Sequence, residues 1–303
     1  MEPIKLAPVY KSSIWAGRKI NNIRGLDGDN IGIAREVCAY KGSENIVRNG
    51  VHAGKKISEV IRLCKQELLG DIDSDQLVRV AYMDAEQDLS IQVHPTAEKA
   101  ALVQDLEKSE AWYVLDAKEG SCVTVGISID DPRQIEDRIL SGDLEEVLIR
   151  KPVRKGDFVL VPAGMIHACG AGLFVIEIGS YGGITYRLYD YGRGRSLDIE
   201  KGMDAMDPAL RTTIIHCPPM PGQSQIGVDH PLFRAEVIDA DDRYIIENNA
   251  SYYVLTCVEN ACQIRTKEGE LPLEYTESVL IPANSGECIV LGNARLIKSY
   301  MKA

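Results

Sequence analysis

The sequence predicts a mostly-β protein made of two related domains. Short runs rich in β-branched and aromatic residues dominate the chain, few segments have helical spacing, and one strand-and-turn segment occurs twice. The chain has 303 residues, more than a typical single domain, and 45% of them are hydrophobic, which is enough for a sizeable core. We therefore expect two β-rich domains rather than one.

The predicted strands are separated by glycine, proline and acidic turn residues. In the first part of the chain they cover residues 7–10, 76–82, 89–94, 112–115, 158–161 and 173–176. In the last part they cover residues 233–238, 251–258, 262–266, 279–281 and 288–291. Both parts are therefore expected to be built mainly from sheets.

Three segments have helical spacing instead: residues 57–69, a short segment from 95 to about 106, and residues 132–149. Asp130 and Asp131 precede Pro132, a pattern typical of an N-cap followed by proline in the first turn. Ile135 and Ile139 lie on one stripe of this last segment, so we expect that face to pack rather than to bind a ligand. A few helices are thus expected in or around the first domain.

A proline-rich segment divides the chain. Residues 218–223 read Pro-Pro-Met-Pro-Gly-Gln, which can continue neither a helix nor a sheet. This break predicts a first domain of residues 1–217, with the helical segments, and a second domain of residues 224–303. Residues 157–164 (DFVLVPAG) are echoed by residues 277–284 (ESVLIPAN), so the two domains are predicted to be related.

Composition excludes several classes of partner. The net charge is −11 and no run of lysine and arginine could follow a nucleic-acid backbone, so nucleic acid is not an expected partner. No stretch approaches the roughly 18 apolar residues of a membrane span. The first residues lack the pattern of a signal peptide, and the eight cysteines contain no C-x-x-C pair. We expect a cytoplasmic protein with reduced thiols; the oligomeric state cannot be predicted.

Polar residues at three strand ends form a candidate metal site. Ser90, Gln92 and His94 alternate with apolar residues, so they share one face of a strand and suggest the lining of a barrel cavity. Glu110 enters a later strand, and His167 follows a Pro-Ala-Gly turn. Two imidazoles and a carboxylate, with an amide oxygen as fourth ligand, suit a first-row divalent metal. Hydrogen-bonded structural histidines are the alternative.

A basic and aromatic segment is a candidate anion site. Arg187, Tyr189, Tyr191 and Arg193 share parity, so two guanidinium groups could converge on one phosphate. A solvated, aromatic-rich edge strand is the alternative.

Four segments together resemble the signatures of one enzyme family. They are residues 89–95 (LSIQVHP), 108–115 (KSEAWYVL), 161–167 (VPAGMIH) and 186–191 (YRLYDY). Each is similar to a motif of the type I mannose-6-phosphate isomerases, and the chain most resembles the short bacterial members of that cupin family. The opening residues 8–17 (PVYKSSIWAG) extend the resemblance over nearly the whole chain.

The resemblance implies a fold, a cofactor and a reaction. It implies two cupin domains, which are jelly-roll β-barrels, and one zinc ion held by Gln92, His94, Glu110 and His167. It also implies interconversion of mannose 6-phosphate and fructose 6-phosphate, so a small sugar phosphate is the expected partner. In the second domain Glu287 occupies the place that corresponds to His167, so that copy is expected to lack the metal.

The resemblance also assigns roles in an aldose–ketose isomerisation. Ser90, Lys108, Glu177 and Arg187 match further active-site positions, and Arg193 falls where a basic phosphate contact is expected. Moving a proton between C1 and C2 through an enediol needs an acid, a base and positive charge near the developing enolate oxygen. Lys108 and Glu177 are both candidates for the proton shuttle, and the sequence does not choose between them.

The chain departs from the family pattern at three places. Residues 179–185 read GSYGGIT where members often carry QQxSDTT, so Gly183 replaces a common aspartate. A family lysine is replaced near Ala81, and the usual GExWE motif is altered at residues 33–36. These changes avoid the proposed metal ligands, so we expect altered efficiency or substrate preference rather than a lost metal.

Two alternatives follow from these departures and from the ligand set. One is a paralogue that keeps the metal and binds a sugar or sugar phosphate as a sensor, or acts on a different sugar phosphate. The other is a cupin oxygenase, because two histidines and a carboxylate can also hold ferrous iron. Gln92 as a fourth ligand and the paired arginines argue against the oxygenase.

Overall fold

The computed structural model describes residues 1–247 and 250–302. Their contacts divide the chain into two compact units. The first, called the terminal unit below, contains Met1–Val9, Arg35–Ala81 and His216–Ala303; the second, called the central unit, contains Tyr10–Ala34 and Tyr82–Ile215. Strands account for far more of the described residues than helices, so the prediction of a mostly-β protein is confirmed.

The strands are short and occur throughout the chain. They are β1 (Ile4–Ala7), β2 (Val9–Ser12), β3 (Ile31–Val37), β4 (Ile46–Val47), β5 (Arg79–Ala85), β6 (Ile91–Val93), β7 (Glu110–Ala117), β8 (Cys122–Ile127), β9 (Leu148–Pro152), β10 (Asp157–Val161), β11 (His167–Cys169), β12 (Leu173–Gly179), β13 (Tyr186–Tyr189), β14 (Ile214–His216), β15 (Gln223–Asp229), β16 (Phe233–Ala240), β17 (Arg243–Ile246), β18 (Tyr253–Glu259), β19 (Cys262–Thr266), β20 (Gly269–Leu273), β21 (Ser278–Ile281), β22 (Cys288–Leu291) and β23 (Ala294–Met301).

The helices are few, as predicted. They are α1 (Lys19–Arg24), α2 (Ile57–Leu69), α3 (Ala97–Ala101), α4 (Pro132–Ser141) and α5 (Ile199–Ala205), with short 3₁₀ turns at Gly50–His52 and Leu144–Val147. The prediction for 57–69 agrees with α2, but the predicted helix at 132–149 is shorter. Gly142 adopts a left-handed conformation with φ of 85° and ends α4, because glycine accepts this conformation without steric cost.

The start of α4 was predicted correctly. The Asp131 side chain accepts a hydrogen bond from the backbone N–H of Arg133, and Pro132 stands in the first turn. Ile135 and Ile139 are buried in an apolar cluster with strand residues, so this face packs as the spacing predicted.

The central unit is built on two sheets, in which β7 pairs antiparallel with β10 and β12, and β6 pairs antiparallel with β11 and β13. One has seven strands in the order β14-β10-β7-β12-β5-β3-β2, and the other has five in the order β13-β6-β11-β8-β9. Alternating residues of β7, β10 and β12 supply an apolar core that includes Trp112, Val114, Val159 and Val175. Glu110 shares parity with Trp112 and Val114, so a carboxylate stands at the end of this core-facing row.

The terminal unit also contains two antiparallel sheets. Their strand orders are β15-β16-β23-β18-β21-β1-β4 and β17-β22-β19-β20. Ile238, Leu255, Val279 and Leu296 belong to its separate apolar core. The terminal unit therefore has an apolar core formed by its own strands.

The limits predicted for the first domain, 1–217, differ from this division. The last boundary, between Ile215 and His216, lies beside the proline-rich segment, but residues 1–9 and 35–81 belong to the terminal unit. The reason is strand pairing at long range, since Ile4 pairs with Leu280 in β21. Such pairing leaves no local signal in the sequence.

No helix in the described ranges is both long enough and apolar enough to cross a membrane.

Candidate metal centre

Three buried side chains of the central unit converge at the ends of β6, β7 and β11. His94 follows β6, Glu110 begins β7 and His167 begins β11, and each is at most 1% exposed. His167 pairs with Gln92 across β11 and β6, and the backbone N–H of Gly164 donates to the His94 carbonyl at 2.8 Å. The local sheet register therefore places the three side chains together.

The distances suit a single metal ion. One ligand atom from each of His94, Glu110 and His167 lies within 4.8 Å of the other two. His94 Nε2 is 3.4 Å from Glu110 Oε2, and His167 Nε2 is 3.6 Å from Glu110 Oε1. Among the described residues this is the one group of at least three histidine, cysteine or acidic side chains with such spacing.

Backbone carbonyls fix the orientation of both imidazoles. His94 Nδ1 donates to the Ile184 carbonyl at 2.9 Å, and His167 Nδ1 donates to the Met165 carbonyl at 2.8 Å. Because a carbonyl can only accept, Nδ1 carries the hydrogen in each ring and Nε2 presents a lone pair to the site. This arrangement is usual for histidines that bind metals.

Trp112 and Gln92 complete the immediate surroundings. Trp112 Nε1 donates to Glu110 Oε1 at 3.0 Å, which fixes the carboxylate. The Gln92 amide nitrogen lies 3.3 Å from His167 Nε2. Turning the amide about its last bond would exchange this nitrogen for the oxygen, which is the atom that a metal would bind.

The pKa values favour ligands in their metal-binding forms. Burial, with the charge of Lys108, lowers the pKa of His94 to about 4, and burial also lowers the pKa of His167. Burial opposes ionisation of Glu110, but the adjacent positive charge of Lys108 outweighs it and holds the pKa of Glu110 well below its usual range. Neutral imidazoles and an ionised carboxylate are therefore ready to bind a cation.

Glu110 and Lys108 provide the test of whether a metal fits. Glu110 Oε2 is buried and accepts no hydrogen bond of regular geometry from any described residue. The Lys108 ammonium lies against this oxygen as an ion pair and is 3.1 Å from His94 Nε2. A carboxylate oxygen and an imidazole lone pair both directed at a positive charge form a donor set that suits a divalent metal.

Lys108 also reaches the second acidic residue predicted for the site. Its Nζ lies 3.3 Å from Glu177 Oε1, and both side chains are largely buried. Glu177 pairs with Trp112 across β12 and β7 and therefore lies on the same face as Glu110. The contacts run continuously from Glu177 through Lys108 to Glu110.

Ser90 and Arg187 lie next to this group. Arg187 pairs with Gln92 across β13 and β6, and its Nε donates to Ser90 Oγ at 3.3 Å. Its NH1 group donates to the Ser196 carbonyl at 2.9 Å. The remaining terminal nitrogen has no hydrogen-bond partner in the described parts of the chain, so one donor of the guanidinium is available.

Arg193 has more internal partners than the sequence indicated. Its Nε and NH1 groups donate to the carbonyls of Asp190 and Asp88 at 3.0 and 2.8 Å, and NH2 lies 3.0 Å from Asp190 Oδ1. The alternation used to place it beside Arg187 does not hold, because β13 ends at Tyr189 and Tyr191 has a positive φ of 53°. The reasoning from strand parity was therefore wrong.

The altered segment 179–184 contacts a proposed metal ligand through its backbone. Ile184 supplies the carbonyl that accepts from His94, and the Gly183 N–H donates to Asp105 Oδ2 at 3.0 Å. Sequence reasoning missed both Ile184 and Trp112. Trp112 could have been found, since it lies two residues after Glu110 on one strand face, but a carbonyl contact has no signature in side-chain type.

The fold and the site define a cupin protein whose His-Glu-His group can hold a metal ion. The family model for the cupin domain of mannose-6-phosphate isomerase matches residues 228–301. The probable mannose-6-phosphate isomerase GmuF of Bacillus subtilis (strain 168) is 35% identical over 215 residues, which are 67% of this chain and 68% of that protein. The chain therefore belongs to the mannose-6-phosphate isomerase family.

Solved structures agree over the full length. The crystal structure of mannose 6-phosphate isomerase from Bacillus subtilis has a TM-score of 0.87 and 25% identity, and 99% of each chain is covered. A mannose 6-phosphate isomerase bound with zinc and yttrium has a TM-score of 0.79 and 16% identity, with 100% of each chain covered, and shares the fold. The family resemblance found in the sequence motifs is confirmed.

Proposed function

We propose that this chain interconverts mannose 6-phosphate and fructose 6-phosphate and holds one zinc ion for the purpose. The observation that carries the proposal is the unbroken set of buried contacts from the His94–Glu110–His167 group to Lys108 and Glu177. It joins a cation site to an acid–base pair, the two elements that an aldose–ketose isomerisation requires.

Zinc is the proposed metal because the donors are two imidazole nitrogens and a carboxylate oxygen, with the Gln92 amide as fourth ligand. A bound zinc ion would supply positive charge that polarises the oxygens on C1 and C2 of the sugar, without redox chemistry. The ammonium of Lys108 contacts two of these donor atoms, Glu110 Oε2 and His94 Nε2. Lys108 and a bound metal ion would therefore be neighbours.

The proposed reaction moves one carbon-bound proton. A base removes the proton from C2 of the open-chain aldose, which gives an enediol, and the proton is returned at C1 while a hydroxyl proton passes from O2 to O1. We assign this transfer to the Lys108–Glu177 pair, whose charged atoms are 3.3 Å apart. Their burial limits access of water and so protects the intermediate.

Arg187, Ser90 and Arg193 are proposed to hold the substrate. The free donor of Arg187 is directed by its bonds to Ser90 and Ser196, so a phosphate or sugar oxygen can use it without breaking these bonds. Arg193 keeps its proposed role as a phosphate contact, although binding would compete with its ion pair to Asp190. Substrate binding remote from the reacting carbons lowers the barrier only if it positions them.

Turnover of mannose 6-phosphate, measured through a coupled assay for fructose 6-phosphate, tests the proposal. We expect activity that is lost on chelation and recovered on addition of zinc. His167→Ala should lose it at all zinc concentrations, and the matched control His216→Ala, at an exposed position of the terminal unit, should keep it. A folded, zinc-loaded protein without turnover would contradict the proposal and favour the binding paralogue.

Two separate substitutions test which member of the Lys108–Glu177 pair transfers the proton. Lys108→Met and Glu177→Gln each remove one member of the pair and keep its approximate size. The residue that carries the proton is the one whose loss also abolishes exchange of the substrate C2 hydrogen with solvent. If neither substitution affects exchange, the assignment to this pair is wrong.

A further inference from the structure

The terminal unit contains a cavity of about 400 Å³ that the proposed reaction does not use. Its lining includes Arg234, Ser251, Tyr252, Tyr300, Met301 and Lys302. All of these residues follow the proline-rich segment and belong to the terminal unit. The cavity is therefore separate from the metal centre, whose ligands belong to the central unit.

Three neighbouring strands bring most of these residues together at one end of the strands. The order β16-β23-β18 is antiparallel throughout, with β16 beginning at Phe233, β23 ending at Met301 and β18 beginning at Tyr253. Arg234 pairs directly with Tyr300. Because the start of one strand lies beside the end of its neighbour, the charged and aromatic residues lie together at this end of the strands.

The inner face of the sheet changes from apolar to polar towards the cavity. Ile238 and Leu296 lie in the core, and the same strand faces continue to Glu236 and Lys298, and then to the cavity residues Arg234 and Tyr300. Lys298 Nζ lies 5.3 Å from the centre of the Tyr300 ring. Charged side chains on a core-facing row need a partner, so this end of the core is built for polar contacts.

Arg234 has N–H donors that make no hydrogen bond within the described residues. Its Nε is buried and 3.1 Å from Glu236 Oε1, but the guanidinium makes no hydrogen bond of regular geometry within the described residues. Glu236 is already bound by the Tyr300 hydroxyl at 3.0 Å. In contrast, the buried Arg295 donates to the carbonyl of Cys217. An arginine with five N–H donors and no hydrogen bond beside a cavity is suited to an anion.

The local charge favours an anion although the whole chain is acidic. Among the described residues at this end of the sheet, Arg234, Lys298 and Lys302 supply three positive charges, and Glu236 and Asp229, which pairs with Lys302, supply two negative ones. The difference is one positive charge, in a chain whose net charge is −11. A local positive excess can hold an anion against the field of the whole molecule.

We propose that this cavity binds a phosphate monoester of about the size of a sugar phosphate. Arg234 would hold the phosphate, because a planar guanidinium matches two phosphate oxygens at once. The ring of Tyr300 offers a wall for the carbon skeleton, and the Ser251 hydroxyl offers a further polar contact. The volume lies in the range of about 300–1,000 Å³ that is usual for small-molecule sites.

Equilibrium dialysis with radiolabelled fructose 6-phosphate tests this site on the full chain. The wild type should bind one more ligand per chain than Arg234→Met, whether or not the metal centre binds as well. Arg234→Lys keeps the positive charge but loses the bidentate contact, and it should lower the affinity of this site for the ligand at least about tenfold. The matched control Arg243→Met, at an exposed residue of β17 that does not line the cavity, should behave as the wild type.

Two results would overturn the proposal. Equal stoichiometry and affinity for the wild type and a folded Arg234→Met would show that the cavity does not bind the ligand. Displacement of the additional ligand by unphosphorylated fructose, but not by inorganic phosphate, would show that Arg234 does not select a phosphate. A failure of the proposed isomerase activity would change neither result, because the experiment compares the number of ligands bound per chain by the wild type with the number bound by Arg234→Met.

Discussion

Replacing Trp112 by phenylalanine tests how far the metal centre depends on a residue that is not a ligand. The substitution removes one hydrogen bond, from Nε1 to Glu110 Oε1 at 3.0 Å, while Glu110 remains 1% exposed. A hydrogen bond to a charged group contributes about 1.5–3 kcal/mol. Loss of such a contact to a ligand typically lowers metal affinity by about 10–100-fold.

The assay is zinc affinity, measured by competition with a chelating dye. Trp112→Phe should bind zinc about 10–100-fold more weakly than the wild type. Trp15→Phe is the matched control, because Trp15 lies in the same core and makes no hydrogen bond to a proposed ligand within the described residues. Both variants leave a small cavity, so both should lose stability. Equal zinc affinity for the two variants would refute the reasoning.

Three further predictions concern single contacts. Glu110→Gln should destabilise the metal-free protein by about 3 kcal/mol, because Lys108 loses the more deeply buried of its two carboxylate partners and keeps Glu177 alone; an unchanged urea midpoint would contradict this. Arg193→Ala should mainly raise KM for mannose 6-phosphate, and unchanged kinetics would remove Arg193 from the site. Gly182→Ala should lower the melting temperature, at a cost of about 1–3 kcal/mol, because its Cβ would lie 2.2 Å from the Leu106 carbonyl oxygen; an unchanged melting temperature would show that the segment can move.

The sequence was sufficient to predict those features of the structure that neighbouring residues determine. Gln92 and His94 lie on one strand face because strand side chains alternate, and Pro95 ends that strand, so their convergence could be expected before any coordinates. The start of α4 at Pro132 was equally local, since an N-cap and a proline decide it. In both cases the responsible residues are neighbours in the chain.

The sequence was insufficient where distant residues decide the structure. The pairing of Ile4 with Leu280 assigns the first strand to the terminal unit, and no short window contains that information. The parity argument failed because a register shift between Arg187 and Tyr189 and the positive φ of Tyr191 both interrupt the alternation. The Ile184 carbonyl contacts His94 through the backbone, which every residue possesses.

Titration of the metal-free protein with zinc tests the central claim most directly. If His94, Glu110 and His167 hold the one metal that the isomerase needs, turnover of mannose 6-phosphate should rise in proportion to added zinc and stop rising at one equivalent per chain. His167→Ala should show no rise. Full turnover in the metal-free protein, or a break at a different ratio, would contradict the account.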